Sequence, residues 1–123
     1  MKNKGESSMK KIQSELRKFT RSRNWDQFHS PKNLSMALTK ECAELMEIFQ
    51  WKTTDESEFP RLSNVDIYRI KEEVGDVIIY LTMLCDRLGI DPVQEGLNKI
   101  KENERKYPIS KSINSNKKYL DLA

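Results

Sequence analysis

Ser30-Pro-Lys-Asn-Leu34-Ser-Met-Ala37-Leu38-Thr-Lys-Glu41-Cys-Ala-Glu44-Leu45-Met-Glu47-Ile48-Phe49-Gln-Trp51 is the stretch whose reading decides the fold. Ser30 followed by Pro31 is a strong helix start: the serine hydroxyl accepts from free N–H groups of the first turn, and proline at the first helical position has no N–H to lose. The spacing of the apolar residues predicts a helix from Pro31 to about Trp51. On a wheel of about 100° per residue with Glu41 at zero, Leu34, Ala37, Leu38, Leu45, Ile48 and Phe49 fall between about −40° and +80°. Glu41 therefore sits inside the apolar arc, and Glu44 lies about 60° away at its edge, with Trp51 close by. A carboxylate in such a place meets a partner or a cation, or it is costly to desolvate.

Glu73-Val-Gly-Asp76 supplies a second acidic pair with helical spacing. It falls in a helix predicted from about Asn64 to Leu88, because Ser63 to Asp66 has the form of a capping box and Gly89 is a C-terminal stop. Ile70, Val74, Val77, Leu81, Leu84 and Leu88 form its apolar arc. Glu73 and Asp76 lie on one flank of that arc with Tyr80. This helix is expected to be the central element.

Upstream, residues 1–8 are polar and expected to be disordered, and Ile12, Leu16 and Phe19 predict a short amphipathic helix from Met9 to about Arg23. Asn24-Trp25-Asp-Gln-Phe-His29 is an aromatic connection with no clear period, and residues 52–63 read as a polar loop. Downstream, Asp91-Pro92 repeats the cap-then-proline signal and opens a helix to about Lys106, with Val93, Leu97 and Ile100 expected inward. Lys99, Asn103 and Lys106 share another face of it. Residues 109–123, rich in Ser, Asn and Lys, read as an irregular arm or tail after a domain spanning 9–108.

With 123 residues, 37% hydrophobic and 33% charged, and only four Gly and four Pro, the chain fits one helical domain. So high a charged fraction suggests that some apolar surface is covered between subunits. The formal charge of +3 is scattered, which argues against a dedicated nucleic-acid binder. No apolar run approaches the roughly 20 residues that span a bilayer, and the N-terminal stretch lacks the apolar core of a signal peptide. A cytoplasmic protein is expected, with Cys42 and Cys85 as small buried thiols.

Four carboxylates without a neighbouring His or Cys make a hard oxygen site, suited to Mg²⁺, with Mn²⁺ as the alternative, rather than Zn²⁺. A cation so held keeps positions for phosphate oxygens, so a polyphosphate is the natural substrate class. Trp25 and Trp51 could sandwich a base, and Lys99, Asn103 and Lys106 suit phosphate or sugar oxygens. Each feature alone has an ordinary explanation: an isolated Glu-x-x-Glu is usually a solvated face, a helix-end Trp usually packs, and His29 would be a satisfied hydrogen-bonding residue. The combination, with Glu41 in an apolar arc, points to a site.

In that combination the chain resembles the MazG-type all-α nucleoside triphosphate pyrophosphohydrolases, in particular their dCTP pyrophosphatase branch. The family motif, ExxE, a spacer and ExxD, reads here Glu41-Cys-Ala-Glu44 and Glu73-Val-Gly-Asp76. Residues 24–34 resemble the branch's RDWxQFHxPRNL segment, 44–51 its ELxELFQW, 76–81 its DVLIYL and 103–108 its NxxRYP, so the likeness covers about residues 10–108. It implies a four-helix bundle assembled as dimers, often paired into tetramers, that hydrolyses nucleoside triphosphates to monophosphate and pyrophosphate. It also implies Glu41, Glu44, Glu73 and Asp76 as metal ligands, Trp25 and Trp51 flanking the base with His29 in the same matched segment, Tyr80 near the sugar, and Lys99 and Asn103 reaching in from helix 4. Leu16 stands where animal relatives carry a histidine, which leaves the base preference open.

The function expected is therefore Mg²⁺-dependent hydrolysis of deoxynucleoside triphosphates, dCTP first, as housecleaning of the nucleotide pool. Glu44 or Glu47 would activate the water, beside Glu41. The alternative is a helical oligomerising module that binds nucleotide or a partner without turnover.

Overall fold

A computed structural model describes residues 8–122. They form α1 (Met9–Ser22), α2 (Pro31–Phe49), α3 (Asn64–Leu88), α4 (Pro92–Lys106) and a single turn α5 (Ile109–Ser112), with short 3-10 turns between and after them and no strand among the described residues. The all-α class agrees with the sequence reading. The N-terminal stretch expected to be disordered lies, apart from Ser8, outside the described residues.

Each long helix starts on a side-chain cap, which satisfies N–H groups that have no partner within the helix. Ser8 Oγ accepts from Lys11 N, Ser30 Oγ from Asn33 N at 3.1 Å, and Ser63 Oγ from Asp66 N at 3.1 Å. Asp91 Oδ1 accepts from both Val93 N and Gln94 N. Gly89 ends α3 at φ 67°, a left-handed conformation that glycine adopts without a Cβ penalty. The Ser63 cap departs from the expected capping box in one respect: the Asp66 carboxylate goes to Lys52 Nζ at 2.8 Å.

Helix α2 stops at Phe49, two residues before the expected end, and Trp51 lies in the turn that follows. The expected polar loop is built rather than irregular. Thr53 and Glu56 exchange bonds, Thr53 N to Glu56 Oε1 at 2.9 Å and Glu56 N to Thr53 Oγ1 at 3.2 Å, and Arg61 pairs with Asp55.

The described residues fall into two compact units, one up to Gly89 and one from Ile90 onward. In the first, α2 packs along α3, and α1 packs on α3. The two longer helices run antiparallel, since Lys52 beyond the end of α2 meets Asp66 in the first turn of α3, while Glu41 lies beside Glu73 and Asp76. Leu34 is 1% exposed and Ile48 and Cys85 are buried; Thr20 and Thr82 are the buried polar residues described. Helix α1 is fixed to α3 by Asp86, which accepts from Gln13 Nε2 at 2.9 Å and from Arg17 Nε at 2.8 Å. The Arg17 guanidinium holds the Asp86 carboxyl below its usual range.

Much of the expected apolar arc of α3 is only half-buried, and Val74 and Leu88 are exposed. In the second unit Val93, Leu97 and Ile100 are exposed, not inward. Their periodicity marks an apolar face, but periodicity does not say whether the cover comes from the same chain. Cys85 is buried as expected, whereas Cys42 is exposed because it lies on the side of α2 away from the packed arc. The C-terminal arm is organised in part: Tyr119 meets Tyr107 edge-to-face at 6.1 Å, and Lys106 Nζ lies 4.8 Å from the Tyr119 ring.

Candidate functional site

Helices α2 and α3 present their acids to each other. Glu41 faces α3 because Leu34, Leu38, Leu45 and Ile48 share its side of α2, and Glu73 and Asp76, three apart, lie together on α3. One carboxylate oxygen from each of Glu41, Glu73 and Asp76 falls within a group whose members are all within 4.8 Å of one another. Glu44 stands close enough to raise the proton affinity of both glutamates and is also paired with Lys40 Nζ at 3.7 Å. Glu47, one turn further along α2, is exposed.

The electrostatics of this cluster are unfavourable by themselves. Oε2 of Glu41 and Oε2 of Glu73 are buried and receive no hydrogen bond; what stands beside them is other carboxylates. Burial first, then Glu44, Glu73 and Asp76, push the Glu41 carboxyl up to about 7. Burial also raises Glu73, with the charges of Glu44 and Asp76 acting in the same direction. Like charges this close cannot all ionise freely without a counter-charge. The donor set is all oxygen, and orphaned lone pairs point into it, so the residues fit a hard divalent cation.

Beside the acids is a pocket of about 240 Å³. Asp76, Trp25, His29 and Tyr80 line it together with apolar side chains of α1 and α3. Trp25 is 42% exposed and packs edge-to-face on Phe19 at 5.5 Å. The Thr20 hydroxyl in the same wall is occupied, donating to the Leu16 and Arg17 carbonyls. An aromatic, largely apolar slot opening on a carboxylate cluster can hold a flat ring at one end and a cation-bound anionic chain at the other.

The other candidates are not among the residues that line this pocket. Trp51 is 87% exposed and is not among the residues of the pocket. Because α2 ends at Phe49, the wheel that set Trp51 near Glu44 does not extend to it. Lys99 and Lys106 lie in the second unit and both pair with Glu102, at 3.2 and 3.0 Å, and Asn103 lies exposed on the same helix. Sequence reasoning did not single out Thr20, Met83, Asp86 or Arg87. A hydroxyl, a thioether and an end-of-helix charge pair have no motif; the approach of α1 to α3 brings Thr20 and Met83 into the pocket lining, and Asp86 and Arg87 line an adjacent cavity that shares those two residues.

The chain matches the MazG-like family over residues 37–122. It is 41% identical to the dCTP pyrophosphatase 1 of Bos taurus over 104 residues, which is 85% of this chain and 62% of that protein. Against the dCTP pyrophosphatase 1 of Homo sapiens it is 40% identical over 85% of this chain and 61% of the relative. The chain thus spans about three fifths of the length of these relatives. Among solved structures, a crystal structure of a pyrophosphatase from Archaeoglobus fulgidus superposes with a TM-score of 0.75 at 43% identity, covering 81% of this chain and 92% of that one.

The raised carboxyls have a measurable consequence without any substrate. A carboxyl with a folded pKa above its unfolded value favours the fold most when protonated, so that contribution is present below the ordinary value of about 4.5 and is lost as pH rises through about 7. Thermal unfolding of the metal-free protein should therefore show this part of the stability falling between those limits, and Glu41→Gln should be more stable than wild type at pH 8. Added Mg²⁺ should raise the wild-type transition and leave that of Glu41→Gln nearly unmoved. A wild-type transition at pH 8 equal to that of Glu41→Gln would contradict the placement.

Proposed function

The chain belongs to the MazG-like family, and from that premise we propose that it hydrolyses nucleoside triphosphates to monophosphate and pyrophosphate, with dCTP the first substrate to test. The observation that carries this reading is the convergence of Glu41, Glu73 and Asp76 from two helices beside an aromatic pocket. The pyrophosphatase names of the relatives support it.

Glu41, Glu73 and Asp76, with Glu44 next to them, would hold Mg²⁺, and Mn²⁺ would substitute because the oxygen donors suit both. The cation, when bound, neutralises charge on the phosphate chain. Trp25, His29 and Tyr80 receive the base and sugar in the pocket. Glu44, half-buried at the cluster, is the first choice as the group that takes a proton from the attacking water, with Glu47 the second. Water oxygen bonds to phosphorus as the bond to pyrophosphate breaks, and the proton passes to the carboxylate. Lys99, Asn103 and Lys106 on α4 of a neighbouring copy, and Trp51 at its α2 end, are assigned to the phosphate, sugar and base.

That last assignment requires association. The exposed apolar residues Val74 and Leu88 in the first unit, and Val93, Leu97 and Ile100 in the second, are each available for it, since leaving them wet forgoes about 25 cal/mol per Å². A dimer or a tetramer acting on the cytoplasmic nucleotide pool is the arrangement proposed.

Pyrophosphate release from a panel of dNTPs should require Mg²⁺ or Mn²⁺ and be greatest for dCTP, and Glu41→Gln should lower kcat/KM by about 100-fold or more. No turnover of any nucleotide would leave a non-catalytic nucleotide- or partner-binding module instead, and turnover unaffected by Glu41→Gln would contradict the assignment of the acidic cluster to the reaction. Sedimentation equilibrium should return two or four copies; the mass of a single chain would contradict the association.

A further inference from the structure

The pocket walls are tied down by adjacent residues at the end of α3, Asp86 and Arg87. Asp86 holds α1 through Gln13 and Arg17, and α1 carries the wall residues Leu16, Phe19 and Thr20. Arg87 Nη2 donates to the main-chain carbonyl of Asp26, and that same carbonyl accepts from His29 N at 3.2 Å. The 3-10 turn Asp26–Phe28 is thus closed on the carbonyl that Arg87 grips, with Trp25 entering it and His29 leaving it. Its other side is latched to α1, Trp25 N donating to Thr20 O at 2.9 Å. Behind the wall lies a second cavity of about 170 Å³, lined by Arg17, Asp26, Asp86 and Arg87, and Leu16, Thr20, His29 and Met83 line both cavities. The charged cluster is therefore the back of the aromatic pocket's own wall.

We infer that Arg87 is a positioning residue that fixes the Trp25–His29 wall and so sets how tightly and how selectively the pocket takes a nucleobase. This rests on the proposed reading of the pocket as the base site. The donors that could read a base edge here are few, because the Thr20 hydroxyl hydrogen already goes to the Leu16 and Arg17 carbonyls. A flat ring is gripped by stacking regardless of its identity, so selectivity depends on where His29 and Trp25 are held. Arg87 lies eleven residues past Asp76, about 16 Å along α3, so the acids stay in place when it is changed.

Arg87→Ala should raise KM for dCTP roughly tenfold, with kcat within about twofold of wild type, and should bring kcat/KM values for different bases closer together. Arg87→Lys, which keeps a charged donor, should recover most of the loss. In a Trp51→Phe background, where Trp25 is the remaining tryptophan, Arg87→Ala should make Trp25 more accessible to acrylamide. Unchanged KM, unchanged base discrimination and unchanged Trp25 quenching would overturn the inference, as would a fall in kcat at constant KM. If no nucleotide is turned over, the reaction proposal fails alone; dCTP binding followed by Trp25 emission then replaces KM, and equal affinity in Arg87→Ala and wild type would overturn the inference.

Discussion

Three carboxylates from two helices meet where their charge is poorly solvated, and the rest of the first unit is arranged so that they do. Helix α2 can bury Leu34 and Ile48 against α3 only with Glu41 turned the same way. The same register places Glu73 and Asp76 opposite it. Packing and repulsion are thus coupled: apolar burial holds the acids together, and the acids, lacking any donor on Oε2 of Glu41 or Glu73, oppose the packing until a proton or a cation intervenes. A fold that keeps such a cluster carries an electrostatic cost that a divalent cation held there would offset.

Helix α3 is the element through which the pieces communicate. Within one run it carries Asp66, which takes Lys52 at the end of α2, then Glu73 and Asp76, then Tyr80 at the pocket, and finally Asp86 and Arg87, which hold α1 and the turn after it. The acids and the aromatic wall are therefore positioned by one rigid body, and their separation is set by helical rise rather than by loop conformation. The loops are correspondingly tied, by Thr53 with Glu56 on one side and by Arg87 on the other.

Much of this was legible in the sequence, for identifiable reasons. The Ser30-Pro31, Ser63, Gly89 and Asp91-Pro92 signals act through local backbone chemistry, so they placed the helix ends closely. The apolar arc around Glu41 was visible because a charge among Leu and Ile breaks a helical pattern. Trp51 falls off the wheel because α2 ends two residues earlier than its pattern predicts. Val93, Leu97 and Ile100 were expected inward because a pattern reports an apolar face and not what covers it. The Asp86–Arg87 clamp could not be read, because its partners are a distant glutamine, a distant arginine and a main-chain carbonyl.

On the proposed reading, the acidic cluster trades protons for a divalent cation. Calorimetric titration of Mg²⁺ into the protein, in buffers of different ionisation enthalpy, measures that exchange directly. Proton release on binding is expected at pH 6, where the Glu41 carboxyl with its value of about 7 is largely protonated, and should fade toward pH 9. Binding without proton release at pH 6, or no binding across that range, would contradict it.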